Sequence, residues 1–581
     1  MLFNPKYLYR FSFWTSLFIL ILLLVDFGFK QTAEVELQIE NYYFYALLVG
    51  VVTTALSYIL DRKRIRQNIA LIDLLGVSFA LFLLGVHFFG DPSAALTREM
   101  ARLHLEKYSA GLLFLKGLLD LKVEYKRTDL NPAQLFLISF VAIILFGTLL
   151  LSLPSATHSG ISLLDALFTA TSAVCVTGLV VVNTATDFTV FGQGIILLLI
   201  QIGGLGILTF VSYFSYFFKG QISYEKQIAM SAINSNATIG KELTLLKHII
   251  IITLLIEALS GVLIFYSIDR SSFASFGDQL FFAVFHAVSA FCNAGFSTLE
   301  HSLQQGAFEF NYGLQIIIAL TFILGGLGFP IVENITSYFK YKTQRVFSFA
   351  KTPNHRPWVL TLNSRIALIT SAVLTVGGFI AFYALEFNNT LVRHSSSGKL
   401  ITAFFGAVTP RTAGFNTVDT ASLLFPTTLL LFFLMWVGAS PKSTGGGIKT
   451  TTLAIAVLNI LSLVKGSSRI EIFKREIVEV TIKRAFAMIS LSIIVISIGI
   501  VLISSQEPEI EMLKIAFECI SAYSTVGLSM GITEGLSSVS KLVLIFLMFI
   551  GRVSALTVLF AIFRKKVVRN YRYPKEEITI H

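Results

Sequence analysis

The chain has 581 residues, 55% of them hydrophobic and 14% charged, with a mean hydropathy of +0.76. Those values exclude an ordinary soluble globule and call for a polytopic membrane protein. The formal net charge of +11 is no nucleic-acid footprint, because the basic residues gather in alternate loops between apolar runs.

Residues 11–29, 43–60 and 69–90 read as three N-terminal membrane helices, with Arg62-Lys63-Arg64-Ile65-Arg66 between the second and third. The first run is long, lacks a small-x-small cleavage site and precedes further spans, so it reads as retained. Basic loops from Lys340 to Arg356 and Lys465 to Arg484, with a tail from Arg564 to Lys575, put those segments and both termini on the cytoplasmic side. Three crossings from a cytoplasmic N-terminus end outside, yet the next span follows the basic residues Lys122, Lys126 and Arg127. Residues 97–122 are therefore expected to cross back, although Arg98, Arg102, Lys107 and Lys116 make them a poor span. With Asp73 in the third helix, this gives a voltage-sensor-like arrangement. An amphipathic helix lying in the interface is the other reading.

From residue 131 onward the apolar stretches come in pairs. The first members fall near 133–153, 245–267, 365–386 and 484–505, and the second near 190–218, 310–338, 422–464 and 538–563. Between the members of each pair lies a segment of ten to fourteen residues, too short to span and expected to be a re-entrant helix. A glycine follows each segment, at positions 178, 295, 414 and 527, in steps of 117, 119 and 113 residues. Ten residues before each glycine stands a phenylalanine: Phe168, Phe285, Phe404 and Phe517. Four copies in register are an internal repeat. The expected fold is all-α, with four units of membrane helix, pore helix, filter strand and membrane helix around a pseudo-fourfold pore. The divisions are 1–130 for the N-terminal helices, 131–225, 240–345, 360–468 and 480–570 for the repeats, and 571–581 for a cytoplasmic tail.

Non-helical backbone at membrane depth must line water or be buried in protein. Backbone carbonyls replace the hydration shell of a monovalent cation without the full charge that would trap it. Glycine reaches the φ > 0 conformations such a strand needs, and the short helices aim their negative C-terminal ends at the ion. No acidic ring lines these segments, which disfavours a carboxylate-built calcium site. Glu518 precedes its filter glycine by nine residues and reads as a structural hydrogen bonder. The three cysteines, Cys175, Cys292 and Cys519, read as small apolar filler.

Together with the broken helix described below, these segments resemble the Trk/Ktr/HKT superfamily of potassium transporters, above all its bacterial TrkH- and KtrB-type membrane subunits. The resemblance covers roughly residues 130–570. It implies potassium bound by the backbone of four filters: Val176, Thr177, Gly178 and Leu179; Asn293, Ala294, Gly295 and Phe296; Thr412, Ala413, Gly414 and Phe415; Thr525, Val526, Gly527 and Leu528. Relatives that favour sodium carry serine at the first filter glycine, and here Gly178 stands. The strands lack the second glycine of tetrameric potassium channels, which implies a shorter, less selective filter.

The second helix of the third repeat is interrupted by Gly438-Ala439-Ser440-Pro441-Lys442-Ser443-Thr444-Gly445-Gly446-Gly447-Ile448-Lys449. A proline and three consecutive glycines cannot continue a stable helix. A phosphate-binding loop is excluded, since neither its spacing nor a preceding strand is present. The resemblance implies an intramembrane gate at Gly438 to Lys449 beneath the filter. It also implies that Arg552, set in an otherwise apolar helix, obstructs cations beside that loop. Helix-to-helix bonding with a loop carbonyl is the compatible alternative for this arginine.

Four polar residues carry weaker signals. Arg411 reads as a vestibule residue or pore-helix brace, Glu257 as partner to a basic neighbour or an interfacial residue, Asn293 as a ligand or a brace, and His286 as a packed hydrogen bonder. The expected activity is gated potassium uptake across the cell membrane, with a sodium- or proton-coupled symporter as the alternative. A polytopic membrane enzyme fares worse, because no nucleophile-base or paired-acid cluster stands out. No organic cofactor is expected, only the transported potassium ion. The resemblance further implies a homodimer and a cytosolic ring of nucleotide-binding regulators of the TrkA/KtrA type.

Overall fold

The structure is a computed structural model, and it describes residues 5–60, 71–89, 105–107, 109–111, 132–206, 242–347, 360–467 and 469–562. Each of the four repeats has a long first helix: Pro132–Leu151, Glu242–Ser267, Leu362–Glu386 and Glu479–Gln506. Each then has a short helix: Leu163–Cys175, Phe276–Phe291, Ser396–Val408 and Met512–Ser524. At about 1.5 Å per residue, 13 to 16 residues reach about 20–24 Å, short of the hydrocarbon thickness. Three of the short helices begin at a serine whose side chain accepts the N–H three residues on: Ser162 from Asp165, Ser275 from Asp278 and Ser395 from Gly398. These caps fix where each short helix starts.

The repeats close on one another. The second helix of repeat one, Val190–Gly204, packs on the short helix of repeat two, and Tyr312–Leu327 packs on that of repeat three. Phe425–Trp436 packs on the short helix of repeat four, and Ser538–Val553 returns to the short helix of repeat one. Lys541 Nζ lies 2.8 Å from Asp165 Oδ1 and clasps this last contact. The largest buried cluster spans the closure, running from Phe168 and Val174 in repeat one to Leu544 and Met548 in repeat four. Between the third and fourth repeats, Glu471–Ile472 and Arg475–Glu476 pair as a small antiparallel hairpin.

The short helices stand where the register of glycines puts them, but the second helices differ from the continuous spans read in the sequence. Beyond the break in repeat three, Tyr312–Leu327 turns by 101° into the helix Phe329–Phe347. Ser538–Val553 likewise turns by 89° into Ala555–Ile562. The bends sit at Gly328 (φ 83°) and Ser554 (φ 76°), left-handed residues that cannot carry the helical hydrogen-bond pattern across. Hydropathy cannot see the bend at Ser554, because both of its arms are apolar, whereas the arm after Gly328 carries Glu333, Lys340, Lys342 and Arg345. In repeat one the described helix ends at Gly204 rather than near 218, and residues 207–241 lie outside the described residues.

Upstream, Pro5–Gly28, Ala33–Leu60 and Leu71–Phe89 form the three N-terminal helices. The second starts ten residues before the apolar window. Glu34 and Glu36 occupy its first turn, where acidic side chains favour a helix N-terminus. Asp26 accepts a hydrogen bond from Tyr43 Oη at 3.0 Å and pairs with Lys107 Nζ at 2.9 Å. Residues 105–107 and 109–111 are helical, while the rest of the segment 97–122 lies outside the described residues, as do Arg62–Arg66 and the tail 571–581.

Candidate functional site

Each short helix ends on a residue in the left-handed conformation or reaches one within four residues. These are Val176 (φ 57°), Asn293 (59°), Thr412 (71°) and Thr525 (51°), each two residues before the repeat's glycine. The glycines are left-handed too, with φ of 90° at Gly178, 70° at Gly295, 79° at Gly414 and 91° at Gly527. Between the two lies a residue whose N–H reaches back to the short helix: Thr177 to Ser172 O, Ala294 to Ser289 O, Ala413 to Thr409 O and Val526 to Ser521 O. The strands after the short helices thus share one backbone path.

The four glycines form a closed ring. A Cβ on Gly178 would strike Ala294 O, one on Gly295 would lie 3.0 Å from Ala413 O, one on Gly414 would strike Val526 O, and one on Gly527 would strike Thr177 O. Every glycine is therefore required by the carbonyl of the next repeat. The ring order is one, two, three, four, so repeats two and four are opposite. Hydroxyls on the short helices tie these strands back. Ser172 Oγ accepts from Gly178 N at 3.1 Å and Ser521 Oγ from Gly527 N at 3.2 Å. Ser289 Oγ donates to Phe296 O at 2.7 Å, and Thr409 Oγ1 donates to Phe415 O. The sequence reading missed this layer. Its signal is a hydroxyl six residues before the glycine in three repeats and five before it in the third. Among the described residues the buried hydroxyls of Thr177 and Thr525 have no protein partner.

The interrupted helix runs Phe425–Trp436, a loop, then Thr450–Val464, and its loop lies against the base of these strands. A Cβ on Gly445 would strike Thr412 Oγ1 and one on Gly446 would strike Thr525 Oγ1. Thr444 Oγ1 is 3.1 Å from the Asn293 side-chain amide, which is 3.3 Å from Thr412 Oγ1. The amide orientation that places its nitrogen 3.0 Å from Phe322 O satisfies both ends of Asn293. Asn293 is thus a brace between loop and strands. Gly438 packs on Gly446 O, and Ile448 N donates to Trp436 O at 3.2 Å, closing the neck of the loop. Ser440 N donates to Gly326 O at 3.0 Å, and Ser443 Oγ donates to Ser440 O at 2.6 Å. At Gly328 a Cβ would come within 2.8 Å of Pro441 O and 3.2 Å of Lys442 O, so the bend of repeat two seats the loop.

Two cations hold buried carbonyls of the loop. Lys449 Nζ donates to Gly445 O at 2.7 Å and Gly446 O at 3.0 Å. The Arg552 guanidinium donates to Thr444 O and to Gly203 O, joining the loop to the second helix of repeat one. Among the described residues neither cation pairs with a carboxylate. Unwound backbone at this depth needs such donors, and the guanidinium fork serves two elements at once. The glycines of the second helices explain the close approach: a Cβ on Gly203 would strike Val174 O, and one on Gly551 would strike Tyr523 O.

Of the weaker polar residues, Arg411 braces the first helix of its own repeat through Ser371 O, Ser371 Oγ and Thr375 Oγ1. Glu257 is buried and accepts from the neutral amide of Gln201 at 3.1 Å, so its partner is not basic. All three cysteines are buried and free.

A family model described as a cation transport protein, TrkH, matches residues 114–569. The chain belongs to the TrkH family. It is therefore a transporter and a multi-pass membrane protein, not an enzyme. Among its relatives, the potassium/sodium uptake protein NtpJ of Enterococcus hirae is 38% identical over 462 residues, covering 78% of this chain and 98% of that protein. The Ktr system potassium uptake protein B of Bacillus subtilis is 35% identical over 450 residues, covering 77% and 96%. The crystal structure of the potassium transporter TrkH from Vibrio parahaemolyticus shares the fold with a TM-score of 0.60 at 17% identity, covering 85% of this chain and 96% of that one. The family match begins downstream of the three N-terminal helices.

Proposed function

We propose that the chain takes up potassium across the cell membrane through a carbonyl-lined filter at the four-glycine ring, gated by the loop from Gly438 to Lys449. The observation that carries this reading is the closed ring itself, with a carbonyl of each repeat against the glycine of the one before. Those oxygens replace the water of a passing ion without supplying a net charge. The unpartnered hydroxyls of Thr177 and Thr525 suit a path that carries water and ions. Beneath the ring, two cations that meet no carboxylate among the described residues raise the barrier to another cation. The membrane potential drives inward movement at about 2.3 kcal/mol per charge per 100 mV.

The relatives named for potassium uptake favour that ion, and one of those names includes sodium. A sodium- or proton-coupled symporter is thus the second reading. Potassium and sodium flux in vesicles reconstituted with the wild-type chain decides both points. Selective, sodium-independent potassium flux is expected; equal flux of the two ions defeats the filter, and a strict sodium or proton requirement makes the chain a symporter.

Four N-terminal crossings keep both termini cytoplasmic. Gly28 packs on Leu153 at one end of repeat one, and the Asp26–Lys107 pair holds residue 107 near that same end. Gln134, at the other end, donates to Ala561 O, and this separation supports the proposal that the segment 97–122 crosses back. A homodimer with a cytosolic nucleotide-binding ring is the assembly proposed for regulation.

A further inference from the structure

The ring's register extends one position past the phenylalanines, to the residue nine before each glycine. Those residues are Thr169, His286, Phe405 and Glu518, and the residues two after each glycine are Val180, Ser297, Asn416 and Ser529. In repeats two and four, which are opposite, these positions join in the same way.

His286 is fully buried. Its Nδ1 lies 2.9 Å from Phe282 O, and a carbonyl can only accept, so Nδ1 carries the proton. Nε2 is then bare and accepts from Ser297 Oγ at 2.9 Å. Ser297 Oγ accepts in turn from Leu299 N at 3.0 Å. In repeat four, Ser529 Oγ accepts from Gly531 N at 2.9 Å and donates to Glu518 Oε1, which also accepts Met530 N at 3.2 Å. Each serine thus binds the N–H two residues on and gives its own proton to an acceptor on the short helix. Repeats one and three lack the clasp. Thr169 spends its hydroxyl on Asp165 O at 2.9 Å, and Phe405 offers only a ring. Because a phenyl ring fills the site in repeat three, packing does not require an ionisable group there. Glu518 keeps its carboxyl although it is 1% exposed and its Oε2 has no partner among the described residues, an arrangement that costs stability.

We infer that His286 and Glu518 are positioning residues that hold the far ends of two opposite filter strands, through Ser297 and Ser529, and thereby set discrimination between potassium and sodium. The inference rests on the filter reading above. A clasp on two of four strands leaves the mouth of the ring with two fixed and two freer walls. Losing a clasp lets the carbonyls of that strand close on the smaller ion.

The test measures potassium and sodium flux in reconstituted vesicles for Glu518→Ala, Glu518→Gln, Ser529→Ala, Ser297→Ala and Gly178→Ser. Removal of one net hydrogen bond predicts about a fivefold loss of selectivity for Glu518→Ala, Ser529→Ala and Ser297→Ala. Glu518→Gln keeps an acceptor oxygen and is expected to retain selectivity, and Glu518→Ala with Ser529→Ala is expected to be no worse than either alone. Equal loss of both fluxes at unchanged ratio means mere packing and overturns the inference. Selectivity lost in Gly178→Ser but kept in all clasp variants also overturns it, leaving the filter intact. Selectivity kept in Gly178→Ser removes the filter reading and this inference with it.

Discussion

In the ring, one glycine recurs in every repeat, and each is demanded by a carbonyl of the neighbouring repeat. In the loop beneath, three glycines stand together in a single repeat, and Gly445 and Gly446 are demanded by the threonines Thr412 and Thr525 above them. The first region is held by backbone against backbone, repeated four times, with no charge. The second is held by two long cationic side chains, Lys449 at the loop's own end and Arg552 reaching across from repeat four. A structure built of mutually dependent copies resists change at every copy. One pinned by Arg552 and Lys449 can let go when either cation moves. Under the function proposed above, selectivity falls to the first design and gating to the second.

The sharpest way to break this contrast is Gly527→Ala. The new methyl would enter Thr177 O in a backbone held at φ 91°, and strain of about 1–3 kcal/mol should cut potassium selectivity about tenfold or more. Vesicle flux reads it, and an unperturbed ratio would dissolve the ring as a functional unit. Next comes Arg552→Ala, expected to raise basal potassium flux on the order of tenfold by removing a charge worth a few kcal/mol to a passing cation. Deleting Gly445 to Gly447 should act in the same direction, and a folded variant with lower flux would argue for a purely structural loop. Smaller still is Lys541→Met, which opens the clasp on Asp165 where both side chains are mostly buried. A loss of roughly 1–2 kcal/mol is expected as a lower melting temperature in detergent, largely recovered by adding Asp165→Asn. The smallest is Ser395→Ala, the cap of the third short helix, at about 1 kcal/mol of stability with selectivity unchanged.

The sequence made the ring legible because glycine at a fixed period, behind helices too short to span, has few other uses. The broken helix was legible because Pro441 and Gly445 to Gly447 cannot be helical. The bends at Gly328 and Ser554 were not, since a hydropathy window averages over a turn, between two apolar arms at Ser554 and into the apolar start of an amphipathic arm at Gly328. Partners far apart in sequence were equally hidden. Nothing local in Asn293 points to Thr444, 151 residues on, and nothing in Glu257 points to Gln201 rather than a base. The serines at 172, 289 and 521 lay within reach, because they share a register that the phenylalanines already defined.

The clasp between Asp165 and Lys541 joins residues 376 positions apart. Because neighbouring quarters each contribute half of every glycine-to-carbonyl contact, three quarters of the molecule leave two raw edges instead of a smaller aperture. A nascent chain therefore closes its ring of glycines late, when the fourth quarter docks on the first, and long-range closures of this kind are slow.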